Sequence, residues 1–367
     1  MKIGILTFHN AINYGAVLQC YALREFLVQR GHDVQVIDYL NAYVEDYAKL
    51  IPKAIVGQQK GMMKKMKCII TNMFLYPKRR KIAKVFNNFK DTRFNLSSIC
   101  RFATEIPSTY NCIVFGSDQI WNPRLCGGFD PAFYGQFPKG KTIFVAYAAS
   151  IGNTSLINED DWSEICSRLM AFDYISVREL PFKQVLEQRL RITVNHCIDP
   201  TLLVDSSVFF SLAVKPAINN YIFLYNVLYD ANSEGFAAYL ANKIGCKVVI
   251  GQAKPRMRRL KKEKDSIIVD AASPEEFLGY ILNADLVIGN SFHVIALSIV
   301  FKKDFYSIES GKSERILSLL GQLELLERHV KSTDREVRLE SINYQEPTKK
   351  LEEMRRDSIY YLSKCGL

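Results

Sequence analysis

The sequence predicts an α/β protein of two domains, each built on an open parallel sheet. Short apolar strands alternate with helices along the chain, which is typical of parallel sheets covered by helices on both faces. The 367 residues, 48% of them apolar, are enough for two ordinary hydrophobic cores. Pro200 and Pro216 punctuate the middle of the chain. We therefore expect domains at 1–210 and 211–340, followed by a C-terminal segment at 341–367.

The first domain is expected to begin with a βαβ unit. Strands are predicted at 3–7 and 33–38 with a helix at 15–30 between them, and such a unit has a right-handed crossover. Further strands are predicted at 113–115, 142–147, 174–177 and 193–197. Helices are predicted at 160–170 and 180–188.

The second domain repeats the alternation. Strands are predicted at 221–225, 247–250 and 286–288, and helices at 232–244, 273–283 and 294–301. Gly245 fits the C-cap of the first of these helices. Ser273, Pro274 and Glu276 supply an N-cap, a first-turn proline and a capping box for the second. A polar-amphipathic stretch at 346–363 predicts one long final helix.

His293 lies between a predicted buried strand and a helix, where open α/β sheets carry their binding and catalytic residues. The strand ends at Gly289, and we expect His293 on the turn that follows it. A single histidine beside an apolar run is more often a buried structural side chain. The functional interpretation therefore depends on polar residues elsewhere in the chain.

A dense polar cluster follows the predicted strand at 113–115. It consists of Gly116, Ser117, Asp118, Gln119, Trp121 and Asn122. Four hydrogen-bonding side chains directly after a buried strand are more than a turn requires. The structural alternative is an Asx-type turn sealed by Trp121 and Pro123.

These segments and several others, in the same order, resemble the polysaccharide pyruvyl transferases. The matching motifs are NYGA at 13–16, LQCYAL at 18–23, GSDQIWNP at 116–123, YAASIG at 147–152, SVRE at 176–179, DPTLL at 199–203 and NSFH at 290–293. The GSDQIWNP motif is highly specific, whereas NYGA alone would be weak. Together the motifs cover most of the chain.

The resemblance implies transfer of a pyruvyl group from phosphoenolpyruvate to a sugar of a surface polysaccharide or its lipid-linked precursor. The group closes as a cyclic ketal, phosphate is released, and no cofactor is needed. The resemblance also implies two Rossmann-like domains that face a cleft, as in GT-B glycosyltransferases, with a C-terminal helix that crosses back to the first domain. The acceptor is then expected on the first domain and the donor on the second.

Phosphoenolpyruvate carries a carboxylate and a phosphate, so its site needs cations and directed N–H donors. By resemblance, Arg178 after the strand at 174–177 binds the donor. The structural alternative for this side chain is a salt bridge with Glu179 or Asp173.

Three further residues are assigned to the donor site. Some members of the family have arginine where this chain has Ser291, so a contact made by that arginine must come from another residue. Lys312 and Arg315, which follow the strand after His293, are expected to supply it. The structural alternative for both is an exposed helix start.

Ketal formation needs a proton on C3 of the donor and the removal of a proton from the attacking hydroxyl. By resemblance His293 is the catalytic histidine, which we assign as general acid to C3, and the sequence leaves a role as base open. Asp118 is assigned to the acceptor side as general base or hydrogen-bond partner. The remaining acceptor-side residues are Asn13, Tyr14, Gly15, Ser117, Gln119, Trp121 and Asn122, with the amides bonding hydroxyls and the Trp121 ring lying against a sugar face.

The net charge of +10 is concentrated in one segment. Eleven Lys or Arg and no Asp or Glu lie within 51–90, so the rest of the chain has a net charge of −1. Apolar residues are interleaved with these cations, a mixture that suits anionic lipid headgroups. A solvated helical wall of the acceptor cleft is an equally good interpretation. Nucleic acid is poorly supported, because no binding motif accompanies the charge.

The sequence favours a cytoplasmic protein, with peripheral contact to the inner membrane face through 51–90. No apolar run approaches the roughly 18–20 residues of a membrane span. Met1 leads directly into the first strand, so we expect no signal peptide. The nine cysteines are scattered without metal-finger spacing, so reduced thiols and no metal are expected.

Two other functions remain open on the sequence. A GT-B glycosyltransferase that uses a nucleotide sugar would explain the fold and the polar loops at strand ends, and its second domain would bind a nucleoside diphosphate. A non-catalytic, membrane-associated assembly protein would explain the basic segment, but would leave GSDQIWNP and His293 without a role.

Overall fold

The computed structural model contains two parallel six-stranded sheets. It describes residues 1–46, 50, 56–57, 60–227, 230–252, 266–310 and 314–367. Strands β1 to β6 of the first sheet are Lys2–Leu6, Asp33–Val36, Cys112–Phe115, Ile143–Ala149, Tyr174–Val177 and Asn195–His196. Strands β7 to β12 of the second are Tyr221–Asn226, Lys247–Gln252, Ser266–Val269, Leu286–Gly289, Phe305–Ile308 and His329–Val330. The strand orders are β2-β1-β3-β4-β5-β6 and β12-β11-β10-β7-β8-β9.

Helices connect the parallel strands, as the crossover of a parallel sheet requires. In the first half of the chain, α1 to α8 are Tyr14–Gln29, Ala42–Asp46, Met62–Arg93, Pro123–Cys126, Glu159–Leu169, Leu180–Leu190, Pro200–Leu203 and Ser207–Phe210. In the second half, α9 to α13 are Ala231–Ile244, Pro274–Asn283, Phe292–Val300, Glu314–Gln322 and Gln345–Lys364. Short 3₁₀ turns occur at Ala103–Glu105, Thr154–Leu156 and Leu326–Arg328.

Local sequence signals determine several of these boundaries. Ser273 accepts from the backbone N–H of Glu276, whose carboxylate accepts from the N–H of Ser273, so the predicted capping box at α10 is confirmed. Gly245 has φ 70° at the C-cap of α9, where a residue without Cβ adopts the left-handed conformation at little cost. Strands β3 and β10 are buried along their whole length because helices cover both faces.

The two domains share a hydrophobic contact near the start of α1. The Tyr14 ring stacks on Phe277 of α10, with centroids 4.1 Å apart and planes at 1°. Its hydroxyl donates to the carbonyl of Ala272 at 2.8 Å. A buried residue of the first domain thus anchors directly in the second.

The final helix, α13, returns to the first sheet. The Tyr361 hydroxyl donates to the carbonyl of Ala146 in β4 at 2.9 Å. The Ser358 hydroxyl accepts from the backbone N–H of Ile198 at 3.0 Å, and Arg355 Nε donates to the carbonyl of Leu202 at 3.0 Å.

The predicted fold class, two Rossmann-like domains with a C-terminal helix that crosses back, is therefore confirmed by the two parallel sheets and by α13. The exact domain bounds of 1–210, 211–340 and 341–367 stay predictions. Strands β9 and β12 were not predicted, since β9 is only partly buried and β12 has two residues. In the part of the chain that the structure describes, no helix combines the length and the apolar character needed to cross a bilayer.

Candidate active site

The strand order of each sheet reverses at one point, and residues from both points meet between the domains. The reversals lie between β1 and β3 in the first sheet and between β7 and β10 in the second. Loops at the carboxyl ends of strands beside such a reversal form the usual ligand crevice of open α/β sheets. Gly15 and Asp118 follow β1 and β3, and His293, which follows β10, lies against Gly15.

Arg178 is the centre of a buried ionic cluster at the carboxyl end of β5. Its side chain is 3% exposed. Nη1 lies 2.5 Å from Asp199 Oδ2, Nε lies 3.0 Å from Glu179 Oε1, and Nη2 lies 4.0 Å from Asp118 Oδ1. Burial alone would lower the pKa of Arg178, but these three carboxylates raise it above its usual value, so the charge is permanent.

The salt bridge with Glu179 that the sequence offered as an alternative is thus present, whereas the one with Asp173 is not. Asp173 pairs with Lys139 at 2.7 Å and accepts from the backbone N–H of Phe144 at 2.8 Å. Asp173 lies before β5 and Glu179 lies after it, so the length of the strand separates Asp173 from Arg178.

Asp199 holds the cluster together from the N-cap of α7. It is completely buried, and its Oδ1 accepts from the backbone N–H and the hydroxyl of Thr201 at 2.9 and 2.7 Å. Burial alone would raise its pKa, but His293 and Arg178 lower it well below the usual range. Asp199 is therefore ionised and joins the arginine to the histidine.

His293 is the second residue of α11 and is 6% exposed. Its Nε2 lies 3.4 Å from Asp199 Oδ2, close enough for ionic attraction but without hydrogen-bond geometry. The expectation that His293 sits on the turn before the helix was wrong, because the helix begins two residues earlier than predicted. Ser291 has the extended conformation of an N-cap, and helical geometry begins at Phe292.

Gly15 makes room for the histidine. A Cβ at this position would lie 2.0 Å from His293 Nδ1, a distance that no packed carbon atom tolerates. Gly15 was assigned to the acceptor side, and the structure instead places it against the imidazole ring. The glycine of the NYGA motif is thus required by a close approach between the domains.

Three polar atoms of this cluster are buried without a hydrogen-bond partner among the described residues. They are Arg178 Nη2, Glu179 Oε2 and His293 Nε2. Unpaired buried polar atoms are costly, and in native proteins they often mark a place where a ligand completes the bonding. The cluster therefore offers a cationic donor, a carboxylate acceptor and an imidazole nitrogen to a bound molecule.

Arg315 brings a second guanidinium from α12 of the other domain. Its carbon lies 5.8 Å from the centre of the Phe292 ring, and that of Arg178 lies 4.5 Å from the same centre. With the Gln119 amide oxygen turned toward it, Arg315 donates at 3.2 and 3.3 Å. Burial and the charge of Arg178 lower the pKa of Arg315. Two nearby arginines are an arrangement suited to an anionic ligand.

Two acceptor-side assignments are corrected by the structure. Trp121 is fully buried among aromatic rings and its Nε1 donates to the carbonyl of Phe133 at 3.0 Å, so no ring face is available to a sugar. Tyr14 is 3% exposed in the domain contact with Phe277. Both residues stabilise the fold around the site rather than contact a ligand.

The asparagines of the two motifs act as helix caps. Asn13 Oδ1 accepts from the backbone N–H groups of Gly15 and Ala16 at 2.9 and 3.4 Å. Asn122 Oδ1 accepts from the N–H of Arg124 at 3.1 Å. These contacts explain why an amide oxygen is needed at each position without invoking a sugar.

Ser117 and Asp118 follow β3 and reach the ionic cluster. The Ser117 hydroxyl donates to the carbonyl of Ala148 at 2.7 Å and lies 3.4 Å from Asp199 Oδ2. Asp118 has φ 70°, an uncommon conformation for a residue with Cβ, and its Oδ1 accepts from the N–H of Gln119 at 2.9 Å. Asp118 is thus fixed beside Arg178 by its own backbone.

Ser291 and Lys312 are the remaining residues that were assigned to the donor side. Ser291 is the N-cap of α11 but makes no side-chain capping bond, and it is partly exposed. Lys312 lies outside the described residues.

A cavity of about 680 Å³ opens beside the cluster between the two domains. Its polar lining includes Asn153 of the first domain and Glu309, Glu314, Gln322 and His329 of the second. The Thr154 hydroxyl donates to Glu314 across the cleft at 3.2 Å, and burial raises the pKa of Glu314. Apolar residues, Leu180, Pro181 and Leu317 among them, line much of the rest of the cavity. Such a lining suits a ligand that has both hydroxyl groups and apolar faces.

Sequence reasoning missed the importance of Asp199 and of the free oxygen of Glu179. Pro200 was used to mark a boundary and DPTLL at 199–203 as a motif of the resemblance, but Asp199 was given no role, although an aspartate before a first-turn proline is a known N-cap signal. That signal predicts the cap but gives no indication that the second carboxylate oxygen binds Arg178.

Comparison with solved structures finds chains of similar length at low identity. MnaA of S. aureus in a complex with UDP has a TM-score of 0.47 and 13% identity over 98% of this chain and 89% of that chain. The glycosyltransferase SnogD of Streptomyces nogalater has a TM-score of 0.44 and 10% identity over 98% and 95%. The UDP-GlcNAc 2-epimerase of Methanocaldococcus jannaschii has a TM-score of 0.45 and 10% identity over 97% and 93%.

Comparison with curated proteins finds no match. A family model described as polysaccharide pyruvyl transferase matches residues 13–312. The matched range contains Gly15, Asp118, Arg178, Asp199 and His293 of the cluster between the domains, and it ends three residues before Arg315.

Proposed function

Because the chain belongs to the polysaccharide pyruvyl transferase family, we propose that it transfers a pyruvyl group from phosphoenolpyruvate to a sugar of a surface polysaccharide or its lipid-linked precursor. The group becomes a cyclic ketal and phosphate is released. The observation that carries this proposal is the trio of unpaired buried atoms, Arg178 Nη2, Glu179 Oε2 and His293 Nε2. A ligand with an anionic group, a hydroxyl and a carbon that accepts a proton would satisfy all three.

The donor is held by charges from both domains. Arg178 Nη2 and Arg315 can each donate to a carboxylate or phosphate oxygen. Asp118, Glu179 and Asp199 together offset more charge than these two arginines supply. Additional positive potential comes from the backbone N–H groups at the start of α11, where Ser291 makes no side-chain capping bond.

His293 is the proposed general acid of the reaction. As a sugar hydroxyl attacks C2 of phosphoenolpyruvate, the C2–C3 π electrons take a proton from His293 Nε2 and C3 becomes a methyl group. The C2–O bond to phosphate then breaks, and a second hydroxyl of the same sugar attacks C2. The two hydroxyls lose one proton each, one of which restores His293 while the other leaves with phosphate.

Asp118 is the proposed acceptor of the first hydroxyl proton. Its carboxylate lies 4.0 Å from Arg178 Nη2, beside the position of the donor, and its backbone conformation fixes it there. Glu179 Oε2 can hold the second hydroxyl. The acceptor sugar extends from these carboxylates into the cavity between the domains, where Asn153 and Glu314 contact its other hydroxyls.

Phosphate release tests this proposal. The purified protein is incubated with phosphoenolpyruvate and a panel of sugar and lipid-linked acceptors, and products are analysed by mass spectrometry. We expect phosphate and a product heavier than its acceptor by one ketal-linked pyruvyl group. Sugar transfer from a nucleotide sugar without any reaction of phosphoenolpyruvate would overturn the proposal.

A further inference from the structure

Helix α3 carries an exposed apolar surface that the reaction does not use. Six large apolar side chains in its first thirteen residues are at least half exposed, and we name them the α3 apolar stripe. They are Met62 at 82%, Met63 at 88%, Met66 at 59%, Ile70 at 50%, Met73 at 52% and Phe74 at 70%. Contiguous exposed apolar surface of this kind marks an interaction site in most proteins.

The stripe occupies one side of the helix. At about 100° per residue, its members fall within an arc of roughly 120°. The side that faces the protein carries Asn72, Ile82, Phe86 and Phe89, which are the buried residues of this helix. Three of these four lie in the C-terminal half, so the N-terminal half contributes little to the core and projects its apolar residues outward.

The charge of α3 restricts what can cover the stripe. The helix has ten Lys or Arg residues and one carboxylate, Asp91. Eight of these cations are exposed. Lys65 and Lys67 flank the stripe, and Arg80, Lys81 and Lys84 continue its line along the helix, whereas Lys64 lies farther around the helix. The other two, Lys78 and Arg93, pair with Asp270 and Glu275. A second copy of this chain would bring two such helices together against strong like-charge repulsion. A nucleic acid would match the charge but would leave the methionines in water.

An anionic bilayer surface satisfies both features at once. Methionine, isoleucine and phenylalanine side chains enter the boundary between headgroups and acyl chains, while lysines and arginines remain among the headgroups. We propose that α3 lies on an anionic lipid bilayer, with the α3 apolar stripe inserted and the exposed cations in contact with acidic headgroups. The occupant is the membrane surface itself, and the helix does not span it.

This orientation also relates the membrane to the cleft. Phe86 on the buried side of α3 lies 5.0 Å from the Tyr14 ring, and the next residue, Gly15, contacts His293. The helix is thus joined to the active-site cluster by direct contacts. If the proposed function holds, a lipid-linked acceptor would be presented to an enzyme already docked on the same bilayer.

The exposed cations and the α3 apolar stripe can be tested by separate sets of substitutions. A charge variant changes Lys64, Lys65, Lys67, Arg80 and Lys81 to Gln, and leaves Lys78 and Arg79 intact because they bind Asp270 and the carbonyl of Leu50. A stripe variant carries Met63→Ser, Met66→Ser and Phe74→Ser. The matched control changes five exposed lysines elsewhere to Gln, Lys215, Lys243, Lys302, Lys331 and Lys349, and loses the same charge. Circular dichroism and thermal melting establish that each variant is folded.

Flotation with vesicles of phosphatidylcholine and phosphatidylglycerol measures binding at low and high salt. We expect the natural chain and the matched control to float with anionic vesicles at low salt, and to be released by high salt or by pure phosphatidylcholine. The charge variant should bind at least about 100-fold more weakly, since each cation near an anionic surface contributes roughly a factor of five. The stripe variant should also lose most of its binding.

Two results would overturn the membrane proposal. One is a natural chain that ignores anionic vesicles at low salt, and the other is a charge variant that binds them as well as the matched control does. A natural chain that prefers single-stranded nucleic acid to anionic vesicles under the same conditions would also contradict the proposal. Calorimetry of phosphoenolpyruvate with the same variants separates this proposal from the proposed function, because the cleft is unchanged in all of them.

Discussion

The cleft and the surface of α3 both collect cationic side chains, but they hold them in opposite ways. In the cleft, Arg178 is buried and all three of its nitrogens lie within 4.0 Å of a carboxylate. On α3, the pair of Lys78 with Asp270 is about half exposed at both ends, and other cations of the helix face water. A buried charge acts through the geometry of a few partners, whereas exposed charges act through their number.

Removing a buried charge should therefore cost far more stability than removing an exposed one. Asp199→Asn leaves Arg178 buried with an incomplete set of partners, and we expect a loss of about 3–5 kcal/mol in the free energy of unfolding. Lys78→Gln, the matched change on α3, should cost about 0–1 kcal/mol. Denaturant titration measures both, and equal losses would contradict the contrast.

The loss of stability in Asp199→Asn should depend on pH, and the sign of that dependence follows from the pKa of Asp199. The pKa of Asp199 is lowered in the folded protein, so its ionic contribution is complete above its unfolded pKa of about 3.9 and is lost as pH falls toward the folded pKa. The stability difference between the natural chain and Asp199→Asn should thus be constant near neutrality and shrink in acid below about pH 4. A difference that grows in acid would exclude an ionised Asp199.

The catalytic contribution of the cleft rests on His293. His293→Ala should keep the fold, because the removed ring faces Gly15 and a ligand site, and should lower the turnover rate by roughly 100-fold or more. His32→Ala, a change far from the cluster, is the control and should leave the rate unchanged. Near-natural turnover in a folded His293→Ala protein would remove the histidine from the mechanism.

His293 and Asp199 show how much of the site could be predicted from the sequence. His293 could be identified because strand, turn and helix signals surround it in the chain. Asp199 could not, since its partners Arg178 and His293 lie 21 and 94 positions away and meet it only after both domains have formed. Capping residues such as Ser273 and Gly245 act within their own segments and were predicted correctly.

The errors concern the directions of side chains. Trp121 and Tyr14 were assigned to a sugar because their motifs lie at strand ends, yet both rings turn inward. A motif specifies where the backbone goes, but whether a ring faces the cleft or the core depends on neighbours such as Phe133 and Phe277 from other segments. Gly15 was correctly placed near the site. The need for glycine there could not be predicted, because it comes from the close approach of His293 in the second domain.

Affinity for phosphoenolpyruvate should depend on the planar guanidinium of Arg178 and not on the number of cations on α3. Arg178→Lys cannot reproduce the planar fork, so we expect the binding of phosphoenolpyruvate to weaken by about 1–3 kcal/mol. The five-residue charge variant of α3 should bind the donor with a dissociation constant within about threefold of the natural value. Calorimetry compares the two, and a larger effect from α3 would reverse the comparison.

The smallest expected effect concerns Gln119, which contacts Arg315. Gln119→Ala removes a polar partner at the edge of the cleft and should weaken donor binding by about 0.5–1.5 kcal/mol. Trp121→Phe is the control for a nearby core residue, and it should lower the melting temperature while leaving donor affinity unchanged. The reverse pattern would restore Trp121 as a ligand contact.

Calorimetric titration of phosphoenolpyruvate into the natural chain, with UDP titrated in parallel, tests the central claim most directly. The two arginines of the cleft, Arg178 and Arg315, predict binding of phosphoenolpyruvate at one site per chain. UDP should give no heat of binding. Binding of UDP without binding of phosphoenolpyruvate would contradict the assignment of this cleft to pyruvyl transfer.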